Sequence, residues 1–301
     1  MKILLLGANG QVGFELLRTL AAHGDVVAAT RERTLADGAP CLRVDLEYPD
    51  SLARALDETR ADVVVNAAAY TAVDRAEDEP DLADRINHRA VAEIGSWAAR
   101  NGARVVHYST DYVFDGAATR PYREDDATAP LGVYGRSKLA GENALRASGA
   151  AHLIFRTAWV YAARGQNFLR TMLRLGAERE ELRVVVDQVG APTPARMIAE
   201  ASAAALGRWR GGDGLAGTYH MVAGGETSWF EFANAIFRSA ARRGLIARVP
   251  GMEPIPTSEY PTRAMRPAYS VLDCSRLEKA FAIQLPGWRE GLESVLDEVA
   301  P

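Results

Sequence analysis

Ile3-Leu4-Leu5-Leu6-Gly7-Ala8-Asn9-Gly10-Gln11-Val12-Gly13 is the stretch whose reading decides the fold. Four apolar residues read as a short buried strand, and the glycines at 7, 10 and 13 break it. Phe14, Leu16, Leu17 and Leu20 then recur at helical spacing. Strand, glycine turn and helix, in that order, make a phosphate cradle. The glycines let the backbone close on a pyrophosphate, and the helix N-terminus offers unpaired N–H groups with partial positive charge. A plain tight turn has the same letters, but the strand before it and the helix after it favour a dinucleotide site.

Working outward, strand-like runs recur at residues 26–29, 41–44, 63–66, 105–108 and 153–155, with helical patterns at 51–58, 82–101 and 138–148. Such alternation predicts an α/β protein with a doubly wound parallel sheet covered by helices on both faces. Beyond it come a helix at 168–175, a strand at 184–186, a Gly211-Gly212-Asp213-Gly214 loop and an amphipathic helix at 229–243. The proline-rich stretch 250–267 reads as largely non-helical. In such a sheet ligands bind beyond the carboxyl ends of the strands, so Val44-Asp45-Leu46 and Asn66-Ala67-Ala68-Ala69 should line the site. Asp45 as a helix-start residue and Asn66 as a strand stop are the plainer readings.

Composition narrows the classes. The 301 residues are 48% hydrophobic and 25% charged, ordinary for a globular protein of one large domain or one plus a smaller one. A net charge of −4 gives no electrostatic case for nucleic acid or an anionic membrane. Two cysteines, Cys41 and Cys274, are too few for a disulfide framework, and the five histidines show no ligand spacing, so no catalytic metal is assigned. Met1-Lys2 leads into a four-residue apolar run too short for a leader or a membrane span, and a cytoplasmic location is expected.

Tyr134 and Lys138 stand four apart where a helix is read, which puts phenol and amine on one face, a turn apart. A free tyrosine ionises near about 10. A nearby ammonium favours the phenolate and should lower that value toward neutrality, where the group can exchange a proton with a carbonyl. Alone the pair means little, since both residues are common on helix surfaces.

The G-x-x-G-x-x-G spacing, Asn66-Ala67-Ala68-Ala69, Ser109-Thr110 and Tyr134…Lys138 together resemble the extended short-chain dehydrogenase/reductases. Further stretches narrow the resemblance to the dTDP-4-dehydrorhamnose reductase family: Tyr70-Thr71-Ala72-Val73-Asp74, His107-Tyr108-Ser109-Thr110-Asp111-Tyr112-Val113-Phe114, Phe155-Arg156-Thr157-Ala158-Trp159-Val160-Tyr161 and Asp187-Gln188-Val189-Gly190-Ala191-Pro192-Thr193. It runs from residue 1 almost to the end. The resemblance implies a Rossmann-type dinucleotide domain over residues 1–158, with a later segment near 190–225 returning to it, and a smaller C-terminal substrate-binding domain, mainly 159–301. It also implies the reaction, reduction of dTDP-4-dehydro-L-rhamnose to dTDP-L-rhamnose by NADPH or NADH, the last step toward the rhamnose donor. Rival readings are another NDP-sugar 4-ketoreductase and a non-catalytic regulatory subunit of methionine adenosyltransferase. An intact Thr110, Tyr134 and Lys138 set weighs against the latter.

Carried onto this chain, the resemblance assigns the cofactor to Gly7, Asn9, Gly10, Gln11, Val12, Gly13, Asp45, Leu46, Ala67, Ala68 and Ala69, together with Tyr134 and Lys138. Tyr134 would protonate the sugar oxygen, Lys138 would tune the tyrosine and bind the nicotinamide ribose, and Thr110 would hydrogen-bond the same oxygen. Thr71, Val73, Thr110, Asp111, Tyr112, Trp159, Gln188 and Arg266 would meet the sugar nucleotide. Trp159 could be plain core, and Arg266 is either a diphosphate ligand or a solvent-facing loop residue. Tyr112 stands where related dehydratases resemble Thr-Asp-Glu, so the acid needed to eliminate water is missing.

The chain departs from the family in two places. Some members carry an acidic residue after the second strand, which selects NADH; here Thr30-Arg31-Glu32-Arg33 follows, and Thr30 with one or two guanidinium groups would accept a 2′-phosphate. Some members hold magnesium between subunits through a glutamate after the Gly-Ala-Pro-Thr turn. Here that turn continues Pro194-Ala195-Arg196, which weighs against a metal-bridged dimer while leaving a homodimer open.

Overall fold

The computed structural model describes residues 1–209 and 213–299. Its centre is the strand read first, β1 (Lys2–Leu6), which leads through the glycine turn into α1 (Gln11–Leu20). β2 (Asp25–Thr30) and β3 (Leu42–Arg43) extend the sheet on one side of β1. On the other side lie β4 (Val63–Asn66), β5 (Arg104–Thr110), β6 (His152–Thr157) and finally Gly217–His220. All seven strands pair in parallel, with Ile3 facing Val26 on one side and Val63 on the other. The strand order therefore reverses between β1 and β4, and the crevice beyond their carboxyl ends is where a doubly wound sheet binds ligands.

Alternation along β1 builds two core layers. Ile3 and Leu5 join Leu16, Leu20, Ile198, Leu206 and Trp209 on one face, while Leu4 and Leu6 join Leu52, Leu56, Ile94, Trp97 and Leu145 on the other. Two glycines of the turn are required sterically. Gly7 sits at φ +81°, and a Cβ there would lie 2.7 Å from the backbone nitrogen of Ala68; one at Gly13 would lie 2.1 Å from the carbonyl oxygen of Gly7.

After β6 the chain leaves the sheet and builds a second core from Tyr161, Leu169, Phe232, Ile236, Phe237, Trp288, Leu292 and Leu296. It recrosses through the helix Ala195–Trp209, which packs against α1, and the strand Gly217–His220, neither of which the periodicity reading singled out. A parallel pair, Glu181–Val185 with Gly251–Ile255, borders the second core, so the proline-rich stretch contributes a strand and no α-helix. Of the expected 211–214 loop, Gly211 and Gly212 lie outside the described residues, and Asp213–Leu215 forms a short 3₁₀ turn.

Two elements differ from expectation where function is concentrated. The helix expected at 82–101 is interrupted by a π-helical turn, Arg85–Arg89, between Pro80–Asp84 and Ala90–Asn101. The turn carries Asn87, whose amide clamps the backbone of Tyr70 (Oδ1 accepts at 2.9 Å, Nδ2 donates at 3.0 Å) and donates to Ser137 Oγ at 3.0 Å. The helix expected at 138–148 starts five residues earlier and spans Val133–Ala147, so Tyr134 lies in its first turn. No side chain of its own caps that end; the backbone N–H of Val133 donates to Glu77 Oε1 at 2.7 Å.

Candidate active site

The crevice beyond β1 and β4 is a cleft of about 900 Å³. Its lining includes Gly7, Asn9, Gly10, Gln11, Val12, Thr30, Arg31, Asp45, Leu46, Ala67, Ala68, Ala69, Tyr134 and Lys138, which is every cofactor candidate except Gly13. Gly13 serves the turn by letting α1 press on Gly7. Thr71, Val73, Thr110, Asp111, Tyr112 and Trp159 line the same cleft. Gln188 and Arg266 do not; they line an adjoining cavity of about 1310 Å³ bounded in part by second-core residues such as Met172, Leu182 and Val184. The features of the cradle fit a dinucleotide: a left-handed glycine against Ala68, and an α1 N-terminus with no side-chain cap to compete for its N–H groups.

At the sheet end, successive residues of β5 part ways. Ser109 Oγ donates to buried Glu142 Oε1 at 2.5 Å, whereas Thr110 Oγ1 accepts from Tyr112 N at 3.2 Å, donates to Asp111 Oδ1 at 3.0 Å and lies beside the Tyr134 hydroxyl. Tyr112 meets Tyr134 edge to face, with ring centroids 5.6 Å apart. Burial pushes the Tyr134 phenol up to about 12, relieved only in part by Thr110. Burial likewise raises the Asp111 carboxyl to about 6 against hydrogen bonds from Ser270 and Thr110.

One sequence expectation is corrected here. Lys138 does not lower the tyrosine pKa in this geometry. Its side chain is buried, and Nζ donates to the Tyr108 carbonyl at 2.6 Å and stands 3.4 Å from His107 Nε2. Burial drives Lys138 down to about 8, with Glu142 pulling it back up. The neutral phenol that results suits a group whose task is to give a proton.

The end of β2 also departs from the sequence expectation. The Thr30 hydroxyl turns back to the Thr34 carbonyl (3.3 Å) and Cys41 Sγ (3.4 Å). Arg33, exposed and at φ +63° just before the turn bridged by Thr34 and Pro40, is not part of the cleft lining. Exposed Arg31 lines the cleft, and so does Glu32, equally exposed. Arg266 is not a free loop residue: Nη2 donates to Asp74 Oδ2 at 2.7 Å, and Nε is buried without a partner.

Several residues escaped the sequence reading. Asn167 lines the cleft and donates to Gln11 Oε1 at 2.8 Å; Asn87, His107 and Glu142 hold the elements that carry Thr110, Tyr134 and Lys138 from behind. His107 lies inside a quoted motif, but nothing local marked the other three. Arg196 spans Glu15 (3.4 Å) and Glu298 (2.6 Å), and among the described residues no group of three or more His, Cys, Asp or Glu side chains could hold a metal ion.

The model of the RmlD substrate binding domain family matches residues 1–300. The chain belongs to the dTDP-4-dehydrorhamnose reductase family. It is 50% identical to the dTDP-4-dehydrorhamnose reductase of Burkholderia thailandensis, covering 96% of each chain. Against the Shigella flexneri enzyme of that name it is 47% identical over 99% of this chain and 98% of the relative. The crystal structure of the Bacillus anthracis dTDP-4-dehydrorhamnose reductase in complex with NADP superimposes with a TM-score of 0.87 at 34% identity over 99% of both chains. Membership in this reductase family makes the chain an oxidoreductase. No helix among the described residues is long and apolar enough to cross a membrane.

Proposed function

We propose that the protein reduces the C4 keto group of dTDP-4-dehydro-L-rhamnose to give dTDP-L-rhamnose, with NADPH as the reductant and Tyr134 as the proton donor, closing the route to the rhamnose donor in the cytoplasm. The observation that carries this is the meeting of Thr110, Tyr134 and Lys138 with the glycine cradle in one cleft, in a chain with the family relationships above. NADPH supplies the hydride that forms the new C4–H bond. The electron pair of the C4–O π bond moves onto oxygen, which takes its proton from the Tyr134 hydroxyl, and the phenolate regains one from solvent. Thr110 holds that oxygen within reach of the phenol, an oxyanion-type contribution. Lys138, anchored at the base of the cleft by the Tyr108 carbonyl, offers its N–H groups to the nicotinamide ribose. Tyr112, where an elimination would need a carboxylic acid, supports reduction over dehydration. The test is NADPH oxidation with the 4-keto sugar nucleotide, followed by NMR of the product to read the configuration at C4. No oxidation, or a C4 epimer of rhamnose, sinks this reading.

The free-enzyme pH profile should expose Lys138. With Lys138 lowered to about 8 and Tyr134 raised to about 12, the alkaline limb of kcat/KM for NADPH should fall with a midpoint near 8 in the wild type. Lys138→Met should lower kcat/KM and lose that limb. A midpoint unmoved by the substitution assigns it elsewhere. Linkage has a definite sign: between about 8 and the unperturbed 10.5 the unfolded chain binds more protons, so this group's contribution to stability rises with pH through that window.

Cofactor choice rests on Arg31. A charge-assisted hydrogen bond contributes about 1.5–3 kcal/mol, and each ~1.4 kcal/mol is tenfold. NADPH is therefore expected to exceed NADH in kcat/KM by roughly ten- to hundredfold, with the ratio reduced in Arg31→Ala. Because Glu32 shares the cleft lining, Glu32→Gln should widen the preference. Wild-type NADH efficiency equal to that of NADPH would rule out the role of Arg31.

A further inference from the structure

Trp159 and Trp229 stack with ring centroids 3.5 Å apart and planes 2° from parallel. They belong to different cavities: Trp159 lines the cleft that holds Thr110 and Tyr134, and Trp229 lines the larger cavity beside it. Three further features aim at this contact. Trp159 sits at φ +48°, a left-handed backbone that a bulky residue adopts only when its surroundings hold it there. Gly190 lies directly under the ring, and a Cβ added to it would come within 2.5 Å of the indole. Val189-Gly190 pairs antiparallel with Thr227-Ser228, the two residues immediately before Trp229. The side chain of Ser228 caps the helix Trp229–Arg242 by accepting from Glu231 N at 3.1 Å, and Phe168 packs on the Trp229 ring from 4.5 Å. The position of Trp229 is thus set by a helix cap, a strand pair and an aromatic neighbour, while Trp159 depends on Trp229 and Gly190.

We propose that Trp229 is the positioning residue of the sugar subsite: stacked on one face of Trp159, whose other face rests on the Gly190 backbone, it fixes the indole edge that lines the cleft and against which the apolar side of a deoxy-sugar ring registers its carbonyl with Tyr134. The proposal rests on the reading that Trp159 meets the sugar, and extends it to a residue on another helix. An indole clamped on both faces presents a rigid apolar edge with little rotamer freedom, which suits a 6-deoxy sugar whose methyl group replaces a hydrated hydroxymethyl. The stack also couples the two cavities, because a side chain of the cleft that holds Thr110 and Tyr134 is fixed by a residue of the adjoining cavity.

Circular dichroism reads the stack and steady-state kinetics read its use. The wild type should show a tryptophan exciton couplet in the far ultraviolet, absent in Trp229→Leu. In that variant KM for the 4-keto sugar nucleotide should rise about three- to tenfold, the worth of an aromatic pair, with the dissociation constant for NADPH unchanged. Trp229→Phe should recover most of the KM without the couplet, and Gly190→Ala should perturb the couplet and raise KM. These two variants decide the matter even if Trp229→Leu does not fold. Wild-type protein without a couplet, a Leu variant with unchanged KM, or equal losses in sugar and NADPH binding would each overturn the proposal. Trp159→Ala separates the layers: an unchanged KM there removes the reading of Trp159 and the proposal with it, whereas a raised KM there beside normal kinetics in Trp229→Leu removes the proposal alone.

Discussion

Tyr134→Phe is expected to reduce kcat by roughly 10²–10⁴-fold, the usual worth of a general acid, while NADPH affinity stays near wild type. The reason is local. The hydroxyl lies beside Thr110 in a buried setting that pushes its pKa up to about 12, so at neutral pH it carries the proton the nascent alkoxide requires. Removing one oxygen leaves the ring, its edge contact with Tyr112 and the first turn of the helix in place. Single-turnover kinetics with bound NADPH isolate the chemical step. Turnover within a few-fold of wild type would take Tyr134 out of the mechanism.

Glu142→Ala should destabilise the fold by about 3–5 kcal/mol, as expected when one member of a buried ion pair is removed. Glu142 is fully buried one turn beyond Lys138. It receives Arg156 through Nε and Nη2 at 2.9 and 2.8 Å, Arg146 at 2.5 Å and Ser109 at 2.5 Å. Arg156, only 2% exposed and stacked over Phe114 at 5.1 Å, would be left with an unpaired charge in the core. Burial opposes ionisation of Glu142, but the bonds from Arg156, Ser109 and Arg146 prevail and hold its carboxyl below the usual range. Its stabilisation is therefore complete above the ordinary glutamate pKa and is lost as pH falls through the lowered folded value. Urea denaturation checks the magnitude, with Arg146→Ala as the contrast. Arg146 is 35% exposed, and its loss should cost about 1 kcal/mol or less. Similar small losses in both variants would mean that Arg156 finds another acceptor.

Because Ser109 and Thr110 are consecutive in β5, the cluster around Glu142 also fixes the strand end that presents Thr110. The reductase site thus stands on a charged core that the cleft itself does not reveal. A moderate loss of kcat in Glu142→Ala, beyond its loss of stability, is the corresponding functional sign.

Much of the protein was legible without coordinates. The glycine turn, the strand–helix alternation and the Tyr134–Lys138 spacing are local codes: sterics at Gly7 and periodicities of two and 3.6 act between near neighbours, so the order of letters carries them. They determined a doubly wound parallel sheet, and of the cofactor residues that the family resemblance named, all but Gly13 line the cleft. Tertiary structure decided the rest, through partners remote in sequence. The helix bearing Tyr134 begins where it does because Glu77, 56 residues away, accepts from Val133 N. The π-helical turn exists where Asn87 clamps Tyr70 and reaches Ser137, 50 residues on. Lys138 turns to the Tyr108 carbonyl instead of tuning the tyrosine, and the depth of burial, which depends on segments packed from elsewhere in the chain, sets the ionisation of both. Gln188 and Arg266 fall in a separate cavity because the chain builds a second core before it returns to the sheet. Periodicity shows which face of an element is buried; the side chain it meets there depends on three-dimensional packing between segments that share no local signal.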